Sequence, residues 1–255
     1  MAEKVKRRRL LIKLSLMSVN SSREKQIRED VTDFYNDIAK QFSQTRKNWW
    51  GGLGFIKKYI NSKDNLLDFG CGNGRLLEFI YGENLDINYT GVDISKELIE
   101  IAKGHYRDEK FLVIEDERKT LFKKEQFDIV MSIAVFHHFT PDMADNALKE
   151  MQRILKKDGI VIITAWHLWN KKRLPFLWKS FWRGLFRLDF QWVAKLPFSY
   201  SDKEKGQKTY WRDCYWWSKR GLEKIAQKNG FEILESGYSR DERNNKRNIY
   251  LVLKK

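Results

Sequence analysis

Apolar positions along the chain keep two rhythms. From about residue 24 to 60, Ile27, Val31, Phe34, Tyr35 and Ile38 recur at three- and four-residue spacing, which predicts a helix with one buried face. Gly51, Gly52 and Gly54 punctuate that segment. Beyond it, short apolar runs alternate with amphipathic ones. "NLLDFG", "YTGVD", "KFLVIED", "FDIVMSIAV" and "GIVIITAW" read as strands, with "RLLEFIYG", "SKELIEIAKG" and "PDMADNALKEMQRIL" as helices among them. Ser95 can cap the second of these helices, and Pro141 suits the first turn of the third. The strands are apolar on consecutive positions, so both faces of the sheet must be covered. That predicts an α/β fold with a parallel sheet between helices.

The rhythm breaks over 166–217, where tryptophan, phenylalanine and arginine dominate. It resumes with the helix "KRGLEKIAQKNG", whose end Gly230 suits, and finishes with the strands "FEILESGYS" and "RNIYLVLKK". The short polar loop "RDERNNK" between them predicts an antiparallel hairpin at the edge of the sheet.

Composition narrows the partners. The 255 residues are 42% hydrophobic, enough for a substantial core, and carry a net charge of +15. That charge suggests a polyanion, nucleic acid first and an anionic membrane surface second, with a generally basic proteome as the plain alternative. Cys71 and Cys214 are too few for a disulfide framework or a cysteine-rich zinc site, and are expected as reduced thiols in the cytoplasm. The N-terminal "MAEKVKRRRLLIKLSLMSVNSS" imitates a signal peptide, but Lys13 interrupts an apolar stretch too short to span a bilayer. Residues 1–23 are expected as a disordered basic arm, with Met17 as an alternative start. No later segment has the apolar run of a transmembrane helix.

The strongest chemical signal is "LLDFGCGNGR". Gly70, Gly72 and Gly74 follow a predicted strand and open a helix, so the backbone can turn sharply beneath a ligand. The G-x-G-x-G spacing differs from the dinucleotide fingerprint, and Asp68 before it disfavours a pyrophosphate while suiting an ammonium. Asp93 ends the next strand, nineteen residues after Gly74, where a carboxylate accepts both hydrogen bonds of a ribose diol. Asp116 follows the third strand, where it can face an adenine amino group. Three acids and a glycine turn suit a nucleoside bearing a cationic amino-acid tail.

In "LLDFGCGNG", "YTGVDIS" and "FDIVMSIAVFHHF", taken in this order, the chain resembles the class I S-adenosylmethionine-dependent methyltransferases. The resemblance covers roughly 60–165 and the terminal hairpin. It implies a Rossmann-like, mostly parallel seven-stranded sheet with S-adenosylmethionine as cofactor. It implies cofactor contacts at Asp68, Gly70, Cys71, Gly72, Gly74, Asp93, Ile94, Asp116, Glu117, Ser132 and Ile133. The chain then divides into the arm and one domain, 24–255. Within it lie a helical cap (24–60), a cofactor core (61–165), an aromatic and basic lid or substrate insertion (166–217), and the last helix with its hairpin (218–255).

Within that class, "YNDIAKQFSQTRKNWW" and "SIAVFHHF" resemble the tRNA wobble-uridine carboxymethyl methyltransferases, and "TYWRDCYWWSKRGLEKI" matches them in part. The tract 170–208 diverges. The resemblance implies methyl ester formation on tRNA, with a small activator subunit as a further candidate partner. An ionised carboxylate needs no strong base, so such a site depends on positioning, for which Arg46, Tyr210, Arg212 and Tyr215 are the candidates. The alternatives are a small-molecule or lipid methyltransferase whose aromatic-basic lid touches membrane, and a cofactor-binding paralogue that only binds RNA or a partner protein.

His137 and His138 follow the fourth strand at the ligand-binding end of the sheet. No cysteine or histidine cluster accompanies them in sequence, so no metal is expected. The pair reads as pocket wall and hydrogen-bonding groups, one facing ligand and the other packing.

Overall fold

The computed structural model describes residues 2–46, 51–168, 174–176, 178, 182, 193–202, 206–241 and 246–255. Five strands run parallel: β1 (Asn65–Phe69), β2 (Asn88–Asp93), β3 (Lys110–Val113), β4 (Phe127–Ser132) and β5 (Leu155–Trp166). The terminal strands β8 (Glu232–Asp241) and β9 (Lys246–Lys254) form the expected antiparallel hairpin, and β9 also pairs antiparallel with β5. The seven-stranded order is β3-β2-β1-β4-β5-β9-β8. The chain moves outward from β1 to β3, then crosses back to lay β4 on the other side of β1. That reversal opens a crevice beyond the carboxyl ends of β1 and β4.

Consecutive apolar residues in the strands serve two cores. Leu67, Val130 and Ile163 face a layer with α4 (Pro141–Ile154) and α5 (Lys219–Lys228). Leu66, Ile129 and Ile162 face α2 (Leu76–Gly82), α3 (Lys96–His105) and a 3-10 turn over Gly51–Tyr59. All six of these side chains are buried, and each contributes about 1.5–3 kcal/mol relative to exposure. The helix starts follow the sequence signals. Ser95 Oγ accepts the Leu98 N–H at 3.2 Å, and Thr140 Oγ1 accepts that of Met143 ahead of a first turn containing Pro141.

Two regions depart from expectation. Helix α1 runs continuously over Ala2–Thr45, where a disordered arm to residue 23 and a helix beginning near 24 were expected. The insertion is more than a lid. Strands β6 (Val193–Asp202) and β7 (Gly206–Tyr215) form a separate two-stranded antiparallel ribbon, with Phe198 opposite Tyr210 and Leu196 opposite Arg212. Much of the aromatic and basic tract (169–173, 177, 179–181 and 183–192) lies outside the described residues, as do 47–50 and 242–245. No helix among the described residues is long and apolar enough to cross a membrane.

Candidate active site

The glycine loop leaves β1 along a path that few side chains tolerate. Gly70 has φ +84° and Gly72 φ +56°, in the left-handed region. A Cβ on Gly70 would collide with the Val135 side chain, so both the dihedral and the space require glycine there. The Gly70 and Cys71 N–H groups donate to the Val92 carbonyl at 2.7 and 2.9 Å, pinning the loop to β2.

Asp93, at the end of β2, accepts the Gly72 N–H on Oδ2 and the Ser95 N–H on Oδ1, both at 2.8 Å. Burial raises its pKa, while these backbone donors pull the other way. The carboxylate is thus oriented from both sides and keeps lone pairs for a diol.

The cleft beside this loop is lined by Gly70, Cys71 and Gly72, by Asp93 and Ile94, and by Glu117, Ile133 and His138. Of the other expected cofactor residues, Ser132 donates its hydroxyl to the Phe69 carbonyl at 2.9 Å, tying β4 to β1. Gly74 lies next to the Tyr106 ring. Asp68 does not line the cleft. It is buried beneath the loop, where the Tyr89 hydroxyl donates to Oδ2 at 2.8 Å. Burial pushes its pKa up to about 7 against that hydrogen bond, which ties the end of β1 to β2.

The acid expected to face adenine is also displaced. Asp116 is held by Arg118, whose backbone N–H reaches Oδ1 at 2.8 Å and whose Nε reaches Oδ2 at 3.0 Å. Burial raises its pKa, but the Arg118 contacts outweigh this and leave it lowered. Its neighbour Glu117 turns inward instead. Glu117 Oε2 accepts Arg28 Nε at 2.9 Å, and the buried Oε1 has no hydrogen-bond partner among the described residues. An unsatisfied buried acceptor at the cleft wall is where an adenine amino group would bond.

Helix α1 roofs the cleft with Arg28, Val31, Tyr35 and Phe42. Asn36 Oδ1 accepts the Ser95 hydroxyl at 2.8 Å, and Asn73 Nδ2 donates to Ser43 Oγ at 3.0 Å. Sequence reasoning nominated none of these as site residues. Their signal was the spacing 28, 31, 35, 42, one helical face carrying Arg and Tyr among apolar residues.

Arg46 and Arg212 come together around Phe198. The Arg46 guanidinium lies 4.3 Å from the centre of the Phe42 ring and 5.6 Å from that of Phe198. Arg212 lies 4.3 Å from the Trp166 ring, 5.2 Å from Phe34 and 5.8 Å from Phe198. Neither meets a carboxylate among the described residues. Arg46 donates to Thr45 Oγ1 at 3.0 Å and Arg212 Nη1 to the Tyr35 hydroxyl at 3.4 Å. Burial lowers the Arg46 pKa, as for a cation held without a counter-ion. Tyr210 joins this group through Phe34, 6.3 Å between ring centres. Tyr215 packs on Trp217 at the rim of the core, 4.9 Å between ring centres, and its described contacts do not include the arginines.

The adjacent histidines keep their ring centres 4.2 Å apart but differ in surroundings. His138 lines the cleft, while His137 is buried and stacks on Trp166 at 4.0 Å and 13°. The expectation that no cysteine accompanies them is corrected. The folding of β7 brings Cys214 in, and the ligand atoms of His137, His138 and Cys214 lie within 4.8 Å of one another. His138 already uses both ring nitrogens: Nε2 is 2.9 Å from the Tyr35 hydroxyl and Nδ1 is 3.3 Å from the Asp213 carbonyl. Burial, and secondarily Arg212, push its pKa down to about 3, so it is neutral in a site that already holds a cation.

Residues 67–163 match the family model described as a methyltransferase domain. The chain is 36% identical over 157 residues to the tRNA (carboxymethyluridine(34)-5-O)-methyltransferase alkbh8 of Xenopus tropicalis, covering 60% of this chain and 24% of that protein. It is 35% identical over 153 residues to the tRNA (carboxymethyluridine(34)-5-O)-methyltransferase of Saccharomyces cerevisiae, covering 60% and 53%. The chain thus spans about a quarter to about a half of the length of these curated relatives. Among solved structures, a SAM-dependent methyltransferase from Methanosarcina mazei superposes with a TM-score of 0.63 at 20% identity, over 79% of this chain and 97% of that one. A complex between the Haloferax volcanii Trm112 methyltransferase activator and the putative methyltransferase gives 0.62 at 17%, over 88% and 96%. Residues 67–163 therefore match a methyltransferase domain, on a chain with the fold of the class I S-adenosylmethionine-dependent methyltransferases.

Proposed function

We propose that this chain binds S-adenosylmethionine and forms a methyl ester on a carboxylate, the carboxymethyl group of a wobble uridine in tRNA. One observation carries the acceptor class: two guanidiniums, Arg46 and Arg212, packed around Phe198 beside the cleft with no carboxylate between them among the described residues. Two cations in an aromatic surround bind an anionic group strongly and orient it.

When bound, S-adenosylmethionine supplies a sulfonium methyl group open to nucleophilic attack. Asp93 would hold the ribose diol, Glu117 Oε1 the adenine amino group, and the Gly70–Gly72 backbone would pass beneath. An acceptor carboxylate is ionised at neutral pH, so no residue has to remove a proton. This suits a site whose nearest histidine, His138, is neutral and already hydrogen-bonded on both nitrogens. Arg46 and Arg212 orient the carboxylate and Phe198 and Trp166 exclude water, which makes positioning the main catalytic contribution.

The net charge of +15 supports a polyanionic substrate, and the names of the curated relatives support tRNA. A small activator subunit is a further partner in this reading, supported by the Haloferax complex, and the cytoplasm is the compartment it implies. Residues 24–255 act as one domain, with 166–217 as the substrate insertion.

The test is transfer of labelled methyl groups to tRNA, followed by mild alkali, alongside nucleoside mass spectrometry of tRNA from a deletion strain. Label released by alkali, and loss of a wobble-uridine ester in the strain, are expected. Alkali-stable label, or an unchanged set of esters, overturns the reading.

A further inference from the structure

The hydrogen bonds around His138 have only one consistent direction. The Asp213 carbonyl can only accept, so His138 Nδ1 carries the proton. In a neutral imidazole Nε2 is then an acceptor, and the Tyr35 hydroxyl at 2.9 Å must donate to it. The phenol oxygen is left with its lone pairs, which take Arg212 Nη1 at 3.4 Å. Burial raises the Tyr35 pKa and so keeps the phenol protonated.

This chain of donors consumes one end of the guanidinium. Arg212 Nε is buried and meets no acceptor among the described residues. Trp166, Phe34 and Phe198 surround the guanidinium. What remains is the Nε–Nη2 edge, the fork that takes a carboxylate through two parallel hydrogen bonds.

We propose that Tyr35 and His138 are positioning residues, holding Arg212 so that its Nε–Nη2 edge receives the acceptor carboxylate. The inference rests on the proposed function for its ligand, but the device is legible in the structure. Tyr35 comes from α1, His138 from the turn after β4, and Arg212 from β7, so three separately folded segments must dock before the fork is set.

The kinetic test is a double-mutant cycle on the full chain with tRNA bearing carboxymethyluridine. Tyr35→Phe and Arg212→Gln should each lower kcat/KM by at least about tenfold, and the double variant should match the worse single variant within about threefold. His138→Gln, which still offers an acceptor to Tyr35, should retain more activity than His138→Leu. Losses that multiply in the cycle overturn the proposal. A second measurement stands apart from turnover: the Arg212 Nε–H resonance of 15N-arginine-labelled protein, titrated with 5-carboxymethyluridine nucleoside and assigned with Arg212→Lys. It should shift in the wild type and not in Tyr35→Phe. An unmoved wild-type resonance overturns the fork even if tRNA is methylated. A shift without methyl transfer keeps the fork and removes the reaction.

Discussion

Arg28 and Glu117 form a buried ion pair at 2.9 Å that joins α1 to the segment after β3, 89 residues further along the chain. The side chains are 10% and 3% exposed, so neither charge has much recourse to water. Arg28→Met leaves a buried carboxylate unpaired and should cost about 3–5 kcal/mol in urea unfolding. Adding Glu117→Leu should recover most of that stability without recovering cofactor affinity, since the proposed nucleobase acceptor is gone. A double variant as unstable as the single one would show that the pair is not the source of the loss.

Asp93 is expected to carry cofactor binding. Removing two charge-assisted hydrogen bonds to a ribose should cost about 3 kcal/mol, roughly a hundredfold in affinity. Calorimetric titration of Asp93→Ala with S-adenosylmethionine checks this, and near-wild-type binding would place the cofactor elsewhere.

Asp68 makes stability depend on pH. Its folded pKa, pushed up to about 7, lies above the ordinary 3.8, so the folded state binds more protons in that window. Stability therefore falls as pH rises from about 4 to 7, by up to about 1.4 kcal/mol per pH unit. His138 opposes the slope. Its folded pKa near 3 lies below the ordinary 6.5, so its contribution is lost as pH falls. The measurement is thus a difference: Asp68→Asn should be more stable relative to wild type at pH 8 than at pH 4. Equal differences at both pH values would mean that Asp68 is not held protonated.

Gly70→Ala meets two obstacles, the positive φ and the Val135 side chain. It should lose about 1–3 kcal/mol from the backbone alone, with cofactor binding lost as the loop shifts. Val135→Ala in the same chain should restore part of the stability, because it relieves the collision but not the dihedral. Thermal melts of the three proteins decide it.

The glycine loop and Asp93 were legible in the sequence because they are local: a strand, a turn and a helix start follow one another, and the cleft lies over that junction. The hairpin and the helix caps were legible for the same reason. Both Asp116 and Glu117 were named from the sequence, but that Glu117 lines the cleft and Asp116 does not was hidden, since Arg118 holds one acid outside and Arg28, from a different element, draws its neighbour in. The ribbon of β6 and β7 was hidden because its alternation runs through a tract in which aromatic residues occur on both faces, with Tyr210 and Arg212 turned inward and Trp211 left 54% exposed.

Period and punctuation in the chain are enough to specify an α/β layer architecture, since backbone hydrogen bonding and burial act over a few residues at a time. They specify the glycine turn at the end of β1 as well. The proposed acceptor site is different in kind. Tyr35, His138, Trp166, Phe198 and Arg212 come from five different segments and Arg46 from the residue after α1, and no single period relates them. Only packing α1 and the ribbon against the end of the sheet brings two guanidiniums to one aromatic ring, and Cys214 to the histidine pair. Those juxtapositions are set by shape and desolvation across the fold, which local sequence does not encode.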